Sequence, residues 1–239
     1  MHLTPEQEWI LVACGLIAHA DGEIKPGEAD LILTMLDEHL DEAESRRWFR
    51  MLGDLNALHR LFDDLPPPLP AFTETTLERA WAMALADGEA SAAEVAMMER
   101  IAAQLGVTPN ELARWRRQWT EQAADLGEHI AAFAAVMIHL DGVLDPEEID
   151  QYRALLGRLP LTPERRDVLA REYLSKRPEL DHVGARLAAL PRERRFAVLR
   201  AIGPLVSASS RADLGRDFFL ELAAFAAVPR EQALRLLYA

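Results

Sequence analysis

Three times in this chain an Asp-Gly pair closes an apolar stretch and a Glu follows seven residues after the Asp: Asp21-Gly22 with Glu28, Asp87-Gly88 with Glu94, and Asp141-Gly142 with Glu148. Paired carboxylates are hard oxygen donors, and the cations that such donors select are Ca²⁺ and Mg²⁺. The same residue types also have a purely structural use. Gly adopts the positive φ that ends a helix, and a Glu at the third position of the next helix accepts the amide of its N-cap. This covers the Gly and the Glu but not the Asp. A carboxylate where a helix finishes faces the negative end of the macrodipole, which is unfavourable by about 0.3–1 kcal/mol unless a neighbour compensates it. Two compensations are open: the amides of the following turn and helix start, or a divalent cation shared between Asp and Glu. The candidate metal ligands are therefore Asp21, Glu28, Asp87, Glu94, Asp141 and Glu148.

Other chemistry is thinly represented. An EF-hand loop needs oxygen ligands four and two residues before this Asp. The chain has Ile17 and His19, Met83 and Leu85, and Met137 and His139 there, so that reading fails on ligand count. His19 and His139 occupy equivalent places, but two residues before an Asp on a helix is nearly the opposite face. They are expected to be hydrogen-bonded residues at the edge of a core. Ser207, Ser209 and Ser210 have no His/Asp arrangement or Gly-rich elbow beside them, and no nucleophile is evident. No base or positioned His accompanies the acids, so a non-enzymatic protein is expected.

The elements that carry the acids repeat. The first and second Asp are 66 residues apart, the second and third 54, and the first and third 120. The pattern predicts a unit of about 120 residues made of two related halves, present twice. Where a fourth copy should fall the chain reads Val206-Ser207-Ala208, with Leu214 in place of the Glu, although Gly106 to Glu111 lines up with Ala226 to Glu231. The scaffold thus recurs four times and the acidic pair three times.

Helix signals mark each copy. Thr4-Pro5-Glu6-Gln7 reads as an N-cap with a first-position Pro and a capping box, followed by a helix to Ala20 that is apolar on nearly every face. Pro26 starts a second helix, and Ser45 to about Phe62 a third. Pro66-Pro67-Pro68-Leu69-Pro70 reads as an extended connector, followed by a buried helix from about Thr75 to Ala86. Ser91 with Glu94 and Asp145 with Glu148 read as further capping boxes, and Thr108 and Thr162 begin helices. No Gly/Ser linker separates the two large units, and the join near Ala123 to Glu128 is helix-like, so the units are expected to pack together.

Composition agrees with an all-α fold of four helical half-repeats in two bundles. Half of the 239 residues are apolar, and Ala, Leu, Glu and Arg far outnumber β-branched types. The formal charge of −13, with no Lys/Arg stripe, argues against nucleic acid. The single cysteine, Cys14, lies in an apolar helix and is expected in the core; the five tryptophans are at helical spacing with other apolar residues and are expected there too. The amino-terminal apolar run is too short to span a bilayer and has acids before it, so direct membrane insertion is not expected and a cytoplasmic location is.

The segment Ala84 to Glu94, continuing through Met98, Ile101 and Ala102 to Leu105-Gly106-Val107, resembles the half-repeat of the tellurite-resistance TerB-like helical family. His19-Ala20-Asp21-Gly22 with Glu28 is similar to the family's first half. Residues 1–122 resemble one complete domain, and residues 123–239 a second with a degenerate final half. The resemblance implies a helical domain without catalysis, tied to bacterial stress responses and to protein assemblies at the inner face of the membrane, with the repeated acids as cation ligands. The functional expectation is an interaction module with a protein partner that binds Ca²⁺ or Mg²⁺ through these turns. The alternative is a metal-free adaptor that uses an apolar groove between its domains.

Overall fold

A computed structural model describes residues 3–140, 142, 144–208 and 212–237, apart from the side chains of residues 37–39, 204–205, 207–208 and 212–214. Among the described residues the fold is all-helical. The chain divides into two compact units, Met1–Ala123 and Ala124–Ala239, each with its own apolar core.

Unit 1 contains α1 (Pro5–Ala18), α2 (Pro26–His39), α3 (Glu42–Leu52), α4 (Leu55–Asp64), α5 (Pro70–Ala84), α6 (Ala92–Gln104) and the first part of α7 (Pro109–Ile138). α1 is the central helix. From Leu11 to Ala18 every residue is buried, and the helix packs against α2, α3, α4, α5 and α6. A helix apolar on all sides is stable only when neighbours surround it, and the short connectors fold those neighbours back onto it. Thr4 and Gln7 form the capping box that starts it, with the Thr4 N–H donating to Gln7 Oε1 at 2.9 Å. The Trp9 Nε1–H donates to Pro66 O at 2.5 Å, which ties the proline connector to the central helix.

The remainder of α7, α8 (Pro146–Arg158), α9 (Pro163–Ser175), α10 (Leu180–Ala189), α11 (Arg192–Ala208), α12 (Ala212–Phe225) and α13 (Arg230–Leu237) make up unit 2. Its core is formed from Ile130–Ile138 of α7 with Tyr152, Leu155, Leu199, Ile202, Phe219 and Leu222. The Tyr152 hydroxyl is buried and donates to Ala131 O at 3.2 Å.

Several boundaries differ from the sequence expectations, each for a local reason. The single helix expected from Ser45 to about Phe62 is two helices, broken at Gly53-Asp54, where the Asp54 carboxylate accepts the Ala57 N–H at 3.1 Å as an N-cap. Pro70 is not part of the extended connector. It is the first residue of α5, where its missing N–H is not needed. α1 and α5 end at Ala18 and Ala84, so Asp21 and Asp87 lie in the exit turns and not in the helices themselves.

The repeat is also not a uniform 120 residues. The His19 Nε2–H donates to Leu52 O and the His139 Nε2–H to Tyr173 O, both at 2.6 Å; a carbonyl only accepts, so Nε2 carries the proton in each. The bond that closes α6, Val107 N–H to Ala102 O, recurs as Val228 N–H to Ala223 O. At α3 and α9, and again at the ends of α6 and α12, equivalent residues are thus 121 apart, and Gly106 corresponds to Ala227 instead of Ala226. The extra residue lies between α8 and α9, around Pro160, where the Leu161 N–H donates to Leu159 O at 2.7 Å.

Candidate functional site

The three acidic turns are built alike. After α1 the Ala20 N–H donates to Ile17 O and the Gly22 N–H to His19 O; after α5, Ala86 to Met83 and Gly88 to Leu85; after α7, Leu140 to Met137 and Gly142 to His139. Gly22, Gly88 and Gly142 have φ of 90°, 112° and 77°, the left-handed region that a residue without Cβ enters at least cost. The following Glu completes a cap in every copy. Glu28 Oε2 accepts the Lys25 N–H at 2.7 Å, Glu94 Oε2 the Ser91 N–H at 2.5 Å, and Glu148 Oε2 the Asp145 N–H at 3.3 Å. Ser91 Oγ and Asp145 Oδ1 return the bond by accepting the Glu94 and Glu148 amides. Lys25 has no acceptor to return, so the start of α2 has only half a box.

The aspartates differ from one another. Asp21 is exposed; its Oδ2 is 2.9 Å from Lys25 Nζ and its Oδ1 accepts the Glu23 N–H at 3.3 Å. The hydrogen bond from Lys25 holds the Asp21 carboxyl below the usual carboxylate range. Asp87 is half-buried and its turn packs on the first residues of α2. A Cβ at Gly27 would collide with Asp87 Oδ1 and lie 2.9 Å from Ala86 O. The second half-repeat therefore places its carboxylate at the positive start of a helix from the first half-repeat, which is where a helix favours negative charge. Asp141 lies outside the described residues.

The two unit 1 glutamates come together. Glu28 and Glu94 are each only 2 % exposed, although they come from different half-repeats, and the charge of one acts on the other. Burial raises the Glu28 carboxyl most, the Glu94 carboxylate raises it further, and together they push it up to about 7. Two neighbouring buried carboxyls do not both ionise readily, so Glu28 keeps its proton up to about pH 7. The ammonium of Lys25 faces both glutamates as well as Asp21. Among the described residues no three or more His, Cys, Asp or Glu side chains gather as a metal-holding group. The site is thus a pair of carboxyls with a lysine beside it, while Asp21 and Asp87 support the turns on either side.

The motif does not show the burial of this pair, but the helical register does. Glu28 precedes Ile32 and Leu36, and Glu94 precedes Met98 and Ala102, at steps of four; all four apolar residues are buried. The acids that close the caps therefore stand on the core face of their helices. His19 and His139 are core-edge residues bonded to the backbone carbonyls of Leu52 and Tyr173. Cys14 is buried and free, and burial pushes its thiol up to about 12.

A helical bundle made of two half-repeats, each with an Asp-Gly exit turn and a Glu-capped re-entry helix, defines the class of unit 1. The family model described as tellurite resistance protein TerB matches residues 7–117, so unit 1 belongs to the TerB family. Comparison with curated proteins and with solved structures gave no match. Among the described residues no helix is long and apolar enough to cross a membrane.

Proposed function

We propose that this chain is a non-enzymatic, tellurite-resistance-like interaction module in which the Glu28–Glu94 pair of unit 1 takes up a hard divalent cation in exchange for the proton on Glu28. The observation that carries this reading is the burial of two carboxyls against each other at the junction of the half-repeats. Uncompensated, such a pair is destabilising, and a side-chain amide would keep the cap acceptors without the charge. The donor set fits Mg²⁺ better than Ca²⁺, because Mg²⁺ is commonly held by one or two carboxylates with water in its other positions, whereas Ca²⁺ takes about 6–8 oxygens. Glu28 and Glu94 are the ligands, the Asp21–Lys25 pair sets the charge beside them, and Asp87 fixes the start of α2. Unit 2 is a diverged copy that keeps a single acidic turn, Asp141 with Glu148.

Calorimetric titration of Mg²⁺ and Ca²⁺ into the full chain at about pH 6, where the Glu28 carboxyl holds its proton, in two buffers of different ionisation enthalpy, tests the exchange. The proposal expects binding with release of about one proton per cation, lost in a Glu28→Gln, Glu94→Gln variant. Absence of binding heat, or heat unchanged in the variant, refutes it.

A further inference from the structure

Away from the acidic pair, unit 1 has an apolar groove of about 340 Å³ between α2 and α3, lined by Leu33, Leu36, Ser45, Arg46, Phe49 and Arg50. Leu33 is 45 % and Phe49 56 % exposed, side by side on a two-helix surface. Contiguous apolar surface of this kind on a folded protein marks an interaction site more often than isolated exposed residues do. The bundle does not require it. Leu33 and Phe49 correspond, by the steps of 120 and 121 residues found above, to Arg153 and Ala170 of unit 2, and there the same helix pair presents neither large apolar group.

The rim of the groove indicates the occupant. In a chain with a formal charge of −13, three arginines fall on one short helix, α3. Among the described residues Arg46 pairs with exposed Glu42 alone, at 2.6 Å, and Arg50 donates Nε to Arg46 O at 3.3 Å and has no carboxylate partner. Leu33 and Leu36, three residues apart on α2, with Phe49 across from them on α3 form a seat for a third helix, and the arginines at its edge call for carboxylates. The net negative charge works against approach to an anionic bilayer, whereas a peptide meets only the local field.

We infer that the α2–α3 groove docks an amphipathic helix of a partner protein whose apolar face is flanked by Asp or Glu. The inference rests on the reading of the chain as an interaction module but not on its cation. Selection from a helical-peptide display library on the full chain, in buffer with chelator, is the test. Affinities of the enriched peptides are then measured by fluorescence anisotropy. Enriched peptides are expected to carry Leu or Phe at i, i+3 or i+4, and i+7 with acidic flanks. Their affinity should fall at least tenfold in Leu33→Arg with Phe49→Ala, and equally in Arg46→Glu with Arg50→Glu. No enrichment, basic flanks, or affinity unchanged in either variant overturns the inference. So does self-association of the chain, or sedimentation with phosphatidylglycerol vesicles, that these variants abolish, because the occupant is then a second copy or a bilayer. With chelator present, failure here leaves the calorimetric result untouched, and the reverse also holds.

Discussion

Unit 1 buries two glutamates against each other; unit 2 retains one of the two positions as a Glu. Glu28 corresponds to Glu148, which still completes its capping box, but Glu94 corresponds to Gly215, where a Cβ would meet Val206 Cγ1 at 3.4 Å and Met137 Cε at 4.0 Å. Glycine lets apolar groups approach where unit 1 holds a carboxyl. The preceding helix changes with it: α5 has 15 residues and stops at Ala84, but α11 has 17 and continues to Ala208. A helix bundle of this kind therefore closes without the acidic pair, and the pair in unit 1 has to be explained by something other than folding.

The two units can be read separately in solution, because all five tryptophans lie in unit 1 and Tyr152, Tyr173 and Tyr238 lie in unit 2. The largest expected difference is at the paired positions Trp9 and His129. Trp9 is fully buried and bonded to Pro66 O, so Trp9→Ala should destabilise unit 1 by about 3–5 kcal/mol in urea unfolding, read on the remaining tryptophans. His129 is half-buried beside Arg186, and His129→Ala should cost unit 2 much less. Similar losses at both positions would mean that the cores are organised alike.

The acidic pair predicts a pH dependence in unit 1 alone. Because the Glu28 pKa is raised from 4.5 to about 7, the folded form binds more protons than the unfolded form across that interval. Stability of unit 1 from this group is therefore highest below about pH 4.5, falls as pH rises, and levels off above about 7. Glu28→Gln retains an oxygen for the Lys25 amide and removes the charge. It should stabilise unit 1 by on the order of 2–3 kcal/mol at pH 8 and by little at pH 4.5, in melts followed by tryptophan fluorescence. A gain independent of pH would break the account.

Smaller effects sharpen the same contrast. Gly27→Ala pushes a methyl group into Asp87 and the Ala86 carbonyl, and should cost unit 1 about 1–3 kcal/mol in the same urea assay. Ala227 has a φ of 53° where Gly106 has 74°. Ala227→Gly should therefore stabilise unit 2 by about 1 kcal/mol, and Gly106→Ala should destabilise unit 1 by a similar amount, measured by tyrosine and tryptophan signals respectively.

The helices, their caps and the acidic exit turns were legible in the sequence because each depends on residues within a few positions: Thr4 with Gln7, Ser91 with Glu94, Asp145 with Glu148. The break at Gly53-Asp54 was also written there, as a helix-stopping residue followed by an N-cap, but the apolar spacing on either side concealed it. The meeting of Glu28 with Glu94, and of Asp87 with the start of α2, depends on how helices from two half-repeats cross, which no local pattern encodes. Register alone hinted at it, since both glutamates fall on the faces of Leu36 and Met98. The step from 120 to 121 residues was hidden for a similar reason: an extra residue in the connector before α9 shifts the equivalences of α3 with α9 and of α6 with α12 while each helix keeps its own local signals.

The proton that Glu28 keeps beside Glu94 is the claim on which the cation exchange and the pH dependence both rest. Side-chain carboxyl NMR of ¹³C-labelled glutamate across the pH range measures it directly. The account predicts one glutamate with a midpoint near 7, assigned to Glu28, that moves down in Glu94→Gln. Midpoints for every glutamate in the ordinary range near 4.5, or a Glu28 midpoint unmoved by Glu94→Gln, would contradict it.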